Sequence, residues 1–427
     1  VPLKSLYARA SGRAYNDLSG TAELASIFVV TASKGQAMRF LATIILLILS
    51  VSARAGVYTV KPSISNDELM GLYKTIIAQY CLFAEGKYQP AAFGEGAGYW
   101  GNGISGGNEG IRAVANTALA YAVAAKKIDL QNDRLRSLYV KRATAGVRFV
   151  TLTHSTSKQV CTDGKQWSRS WQSAMWTGTV CMAAWIVWDE LDADTKELVK
   201  RVAEYEADRF LPLTPPGAEW GNTRAEENGW DLTCIAAAAS MFPDHPNAAK
   251  WRTKCIEYMM NTVSVAADEE DSTIVDGRPV RDWVCTVNYH PDFSLDNHGF
   301  FHPSYTMVSP AEVGTGALFF AYGGHPVPQA SGHHLLDTWK CLQTIMMPHG
   351  YWAYTQGMDW AVNSDGHIHY LAFLASYGKD PLGLGMEKIV AQYIRGHQML
   401  HGGKFAGPSS RLGFAREAIC AERLCYA

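Results

Sequence analysis

Ten consecutive residues, Asp296-Asn297-His298-Gly299-Phe300-Phe301-His302-Pro303-Ser304-Tyr305, gather an amide, two imidazoles and a phenol in one short segment. An elimination beside a carboxylate calls for those groups. The proton next to a carboxylate is poorly acidic until an amide, an Arg or a metal neutralises the charge. A base then removes that proton and an acid protonates the departing oxygen, tasks that His and Tyr side chains commonly perform. Asn297 suits the first role, His298 or His302 the second and Tyr305 the third. A uronic-acid polysaccharide is the substrate class that such a set would serve. The plainer account makes His302-Pro303 a turn, Asn297 a helix cap and Tyr305 a packing residue of the next helix, with His290 a hydrogen-bonding loop residue.

A second cluster, Glu226-Glu227-Asn228-Gly229-Trp230-Asp231, opens an apolar run. Asn is a good N-cap and acids suit a first helical turn, so the run has a structural explanation. On the chemical reading Asn228 shares carboxylate neutralisation with Asn297, and Arg224 and Arg169 pair with substrate carboxylate or stay solvated. Glu95, Glu226, Glu227, Asp296 and Asp359 leave open hydrolysis by two carboxylates. Trp100, Asn102, Trp220 and Trp352 are the remaining candidates for contact with sugar. Asp268-Glu269-Glu270-Asp271 lacks the spacing and Gly of a calcium loop. His333-His334 and His367-x-His369 could bind a metal, but no Cys or carboxylate partner stands at suitable spacing. No cofactor is therefore expected, with a structural calcium left open. Nucleophile-elbow, P-loop and dinucleotide motifs are absent from the sequence.

The elements that must position these groups read as paired helices. Apolar positions recur at helical spacing over 66–84, 110–126, 131–150, 172–190, 193–210, 229–241, 247–264, 308–322, 332–347, 364–377 and 384–398. Strand-like alternation is confined to Thr273–Val287. An apolar helix followed by a more amphipathic one, repeating every ~55–60 residues, implies a mainly all-α fold, an α/α toroid that is either incomplete or a six-hairpin barrel. Turns within pairs are short, whereas the segments at 85–109, 151–171, 211–228, 265–307 and 348–362 are long. In a toroid they share one rim above the N-termini of the inner helices, where loops carry sites and an anion is favoured.

The chain has 427 residues, a net charge of −2 and 18% charged residues, which leaves no basic footprint for nucleic acid. Met38-Arg39, the apolar run Phe40–Val51 and Ser52-Ala53-Arg54-Ala55 have the layout of a secretory signal peptide, too short for a stable membrane span. Residues 1–37 then read as a non-native upstream extension, 38–55 as the signal and 56–427 as a catalytic domain that is secreted or periplasmic. Nine cysteines at 81, 161, 181, 234, 255, 285, 341, 420 and 425 form no CxxC pair. Their odd number implies at least one free thiol or a missing partner, and Cys234, Cys255 and Cys341 fall in apolar helical runs.

The hairpin series, Asn228-Gly229-Trp230 and Asn297-His298 with Tyr305 resemble the toroid polysaccharide lyases of the hyaluronate and chondroitin type. That resemblance implies elimination by Asn228, His298 and Tyr305 over a toroid covering roughly residues 66–425. Gly98-Tyr99-Trp100-Gly101-Asn102-Gly103 and Gly110-Ile111-Arg112-Ala113-Val114-Ala115-Asn116 are similar to bacterial lyases of rhamnose–glucuronate linkages. The interval from His298 to Tyr305 is shorter than in the chondroitin type, which keeps His302 open as base. Toroid lyases often continue into a β-sheet domain, so a stop after the helix expected at Ser409–Arg423 is read as a truncation before one.

Overall fold

A computed structural model describes residues 63–217, 221–357, 368–405 and 413–427, which belong to the unit Val60–Ala427. The expected extension and signal peptide, Trp220, Asp359 and His367 lie outside the described residues. No described helix is long and apolar enough to cross a membrane.

The periodic runs fold as twelve α-helices among the described residues: α1 Asn66–Glu85, α2 Ala113–Lys127, α3 Asp133–Leu152, α4 Ser173–Ile186, α5 Ala193–Asp208, α6 Ala225–Met241, α7 Ala248–Thr262, α8 Pro303–Tyr322, α9 Leu335–Gln343, α10 Ile368–Ser376, α11 Pro381–Leu400 and α12 Gly413–Tyr426. The fold is thus mainly helical. Three two-residue hairpins complete it: β1 Gln89–Pro90 with β2 Gly98–Tyr99, β3 Ile274–Val275 with β4 Arg278–Pro279, and β5 Asp296–Asn297 with β6 Phe300–Phe301. The alternation expected over Thr273–Val287 comes down to the second of these, because Asp276-Gly277 turns the chain back at once.

Odd- and even-numbered helices differ in how their residues are used. On α1 the buried positions Leu69, Tyr73, Ile76, Ile77, Tyr80, Cys81 and Ala84 recur every three or four residues and make one apolar face. On α4, by contrast, Ser173–Ala184 are buried without a break, as are Ala225–Trp230 of α6 and Pro303–Ala317 of α8. Such helices need neighbours on every side. Contacts run from α2 to α4, α6, α8, α10 and α12 in turn, and α12 packs back on α2. Odd helices lie against the even ones, α3 against α2 and α4, and α5 against α4 and α6.

Side-chain caps occur on four odd-numbered helices and are absent from α7 and α9. The side chains of Ser65, Asn132, Asp192 and Asp380 cap α1, α3, α5 and α11. The residues preceding α2, α4, α6 and α8, namely Arg112, Gln172, Arg224 and His302, make no side-chain cap. Pro310 sits inside α8, where its missing N–H frees the carbonyl of Thr306. The Tyr289 hydroxyl donates to that carbonyl at 3.0 Å, so the interruption costs little.

Even-numbered helices also bury a polar cluster. Asn116 and Thr179 donate to the two oxygens of Glu422 at 3.0 and 2.8 Å. Burial, with Glu422 beside it, pushes the Glu312 carboxyl up to about 8 against the opposing pull of Arg423 and Arg112. A raised folded-state value means that the native chain keeps a proton which the unfolded chain gives up above the usual 4.5. Stability from this group is intact below that value and is lost as pH rises through about 8. Glu312→Gln should therefore raise the thermal midpoint by several degrees under alkaline conditions and change it little under mildly acidic ones. Equal melting curves for both proteins under alkaline conditions would disprove this assignment.

All nine cysteines are free thiols; Cys234 and Cys255 are buried as expected, and Cys341 is partly exposed.

Candidate active site

The segment 296–305 is a hairpin followed at once by a helix, not the open loop expected from sequence. Asp296 pairs with Phe301 and Asn297 with Phe300, leaving His298-Gly299 as the two-residue turn. Their φ values of +56° and +87° belong to a type I′ turn, which needs both central residues in the left-handed region. Gly299 adopts it freely, whereas His298 is strained there, and such strain concentrates at functional positions. Gly299 N–H donates to the carbonyl of Gly221 at 2.6 Å and Thr223 N–H to that of Asp296 at 3.2 Å. These bonds lay the hairpin along the chain entering α6. His290 pairs with Asp296 at 3.1 Å, in keeping with a loop hydrogen bonder.

Pro303 starts α8, its fixed φ suiting the first helical position. Tyr305 therefore lies in the first helical turn and returns its ring to the hairpin. The ring centroids of His298 and Tyr305 are 5.2 Å apart, those of His302 and Tyr305 4.5 Å and those of the two imidazoles 5.9 Å, all edge to face. His302 is completely buried and stacked on Phe300 at 5.0 Å, and Tyr305 is 7% exposed. His298 is exposed. Of the two imidazoles open as base, His298 is the one that solvent reaches.

Alongside stand Glu226 and Glu227, in the first turn of α6. Asn297 Nδ2 donates to Glu226 Oε1 at 2.6 Å. Burial, reinforced by the Glu227 charge, holds the Glu226 carboxyl well above the usual carboxylate range. Arg224 Nη1 and Trp171 Nε1 both reach Glu227 Oε1, at 2.7 and 3.4 Å. The Trp171 ring is 62% exposed and rests edge-on against Trp230 at 5.1 Å. Among the described residues, Glu226 Oε2, Glu227 Oε2, Asn228 Oδ1 and Asn297 Oδ1 are buried acceptors with no donor.

Several sequence-derived assignments are revised by this geometry. Asn228 is fully buried, and its Nδ2 donates to the carbonyls of Pro216 and Asn261 at 3.2 and 3.3 Å. It braces the loop entering α6 rather than capping the helix, and has no amide hydrogen directed at a ligand. Asn297 is likewise fully buried, its amide committed to Glu226. Trp100 lies in the core, stacked on Tyr121 at 5.2 Å with Nε1 donating to Ala84, so neither ring face is available to sugar. Trp352 is 3% exposed and packs near Trp339. Asn102 closes its own loop by accepting from Ile104 N–H. The Arg169 guanidinium lies over the Tyr205 ring of α5 at 4.8 Å.

Sequence reasoning weighed Glu226 and Glu227 only as first-turn acids or a hydrolytic pair, and did not connect them to Asn297. Only the register of the hairpin against α6 makes that link. Arg112, 4% exposed and within electrostatic reach of Tyr305, Glu422 and Glu312, was also overlooked as a neighbour of the site. Its position just before α2 was the available signal. One further group, Asp268 with His333 and His334, has the composition of a metal site.

The chain matches no family model, no curated protein and no solved structure.

Proposed function

We propose that this chain is a secreted α/α-toroid polysaccharide lyase that cleaves a glucuronate-containing glycan, such as one with rhamnose–glucuronate linkages, by β-elimination. The observation that carries the reading is the triangle of His298, His302 and Tyr305, in which the His298 imidazole is exposed. The cycle of contacts through the even-numbered helices supports a toroid. The uncapped N-termini of α6 and α8 at the hairpin favour an anionic ligand.

In the proposed reaction Arg224, 40% exposed at its side chain, takes the substrate carboxylate that the two buried asparagines are not placed to receive. His298 removes the C5 proton and Tyr305 gives its proton to the glycosidic oxygen; C5–H and C4–O break as the C4–C5 double bond forms. Tyr305 can alternatively serve both steps in a syn elimination. Trp171 offers a sugar ring an exposed face. His302, packed against Tyr305 and Phe300, orients the phenol.

Incubation with uronic-acid polysaccharides should produce the ultraviolet absorbance of a conjugated uronate. Arg224→Ala should raise KM by about tenfold or more, the value of one charge-assisted contact, with a smaller change in kcat. Release of reducing sugar without absorbance would instead favour hydrolysis by Glu226 and Glu227, the Glu226 carboxyl being raised by burial and by the neighbouring Glu227 charge. Absence of both products across such glycans would reject an enzymatic role in favour of glycan binding alone.

A further inference from the structure

We propose that Asp268, His333 and His334 form a site for a divalent transition metal of the zinc class, independent of the elimination chemistry. Their ligand atoms all lie within 4.8 Å of one another. His333 Nε2 is 3.3 Å from Asp268 Oδ2, and His334 Nε2 is 2.9 Å from Asp268 Oδ1. A tetrahedron with metal–ligand bonds of about 2.0 Å has edges of about 3.3 Å, and each imidazole already lies that close to one oxygen of the Asp268 carboxylate. Sequence spacing concealed this arrangement, because the carboxylate comes from 65 residues upstream of the first imidazole.

The surroundings are those of a preformed metal site. Asp337 Oδ2 lies 3.2 Å from His334 Nδ1, the carboxylate–imidazole support that orients many metal-bound histidines. With a metal on Nε2, His334 needs a single proton on Nδ1, which Asp337 accepts. His334 is held at φ +53°, a strained conformation for any residue other than Gly. Val265 N–H fixes Asp268 Oδ2 at 2.9 Å. Asp276 ties the segment before His333 by bonding both Gln329 and Ala330 at 2.8 Å. Asp268 and His333 side chains are 3% and 8% exposed while His334 is 20% exposed, leaving one open side for water as fourth ligand.

Ligand type selects the metal. Two imidazoles and one carboxylate suit zinc or cobalt, whereas calcium takes six to eight oxygens and magnesium an oxygen-rich octahedron. The ion would join the segment leading from α7 toward the hairpin to the start of α9.

The test uses the full chain, stripped with a chelator and titrated with zinc chloride and separately with cobalt chloride. Binding of about one ion per chain, a higher thermal midpoint with zinc and tetrahedral cobalt absorption bands are expected. Asp268→Asn keeps size and hydrogen bonding and should abolish the cobalt bands. Asp337→Asn should weaken zinc about 10–100-fold. Sub-stoichiometric zinc binding, or zinc and cobalt binding unchanged in Asp268→Asn, would overturn the proposal, as would stabilisation by calcium chloride but not by zinc.

Discussion

Tyr305→Phe should lower lyase turnover by about 10²–10⁴-fold and leave the thermal midpoint nearly unchanged. The substitution removes one hydroxyl from a ring that is 7% exposed and preserves its contacts with His298 and His302. A purely structural Tyr would lose stability without a selective effect on kcat. The companion His298→Ala separates the two forms of the mechanism. Loss of a similar factor makes His298 the base, whereas full activity in His298→Ala with loss in Tyr305→Phe places both proton transfers on Tyr305. Full activity in both variants would remove the proposed roles altogether.

Trp100→Ala should destabilise the folded chain by about 3–5 kcal/mol, through lost transfer energy and the cavity left behind. The ring is fully buried, stacked on Tyr121 at 5.2 Å and edge-on to Tyr88 at 5.3 Å, with its N–H bonded to Ala84 at 3.1 Å. Domains are commonly stable by about 5–15 kcal/mol, so this one change removes a large fraction. The sugar-stacking role expected from sequence forecasts the opposite: a higher KM with unaltered stability. Denaturant midpoints of Trp100→Ala and Trp100→Phe, measured beside KM, distinguish these outcomes. An unchanged midpoint with weakened binding would show that the ring meets ligand.

The helices were legible because their signal is local. Apolar spacing located α1, α2, α3, α5, α7 and α11 to within a few residues, and Ser65, Asn132, Asp192 and Asp380 are capping residues readable by type. The starts of α6 and α8 were harder, although that of α4 fell within one residue. Sequence spacing placed the start of α8 at residue 308, whereas the helix begins at Pro303. A helix buried on all sides has no polar face to mark its period. Pro303 is the readable start signal, although a proline suits a turn as well as a first helical position. The β5–β6 hairpin escaped notice because two-residue strands carry no alternation.

By itself the sequence determined the helical character of the chain and the segment in which His298, His302 and Tyr305 meet. These depend on residue type, spacing and neighbours only a few positions apart. Tertiary structure alone decided which groups face solvent and which complete the core. It buried Trp100, Trp352, Asn228 and Asn297, left His298 and Trp171 exposed, and joined Asn297 to Glu226 across 71 residues. It likewise brought Asp268 to His333 and His334. The physical reason is that burial and long-range pairing depend on how helices pack together, and no local pattern encodes the partner that a side chain will meet.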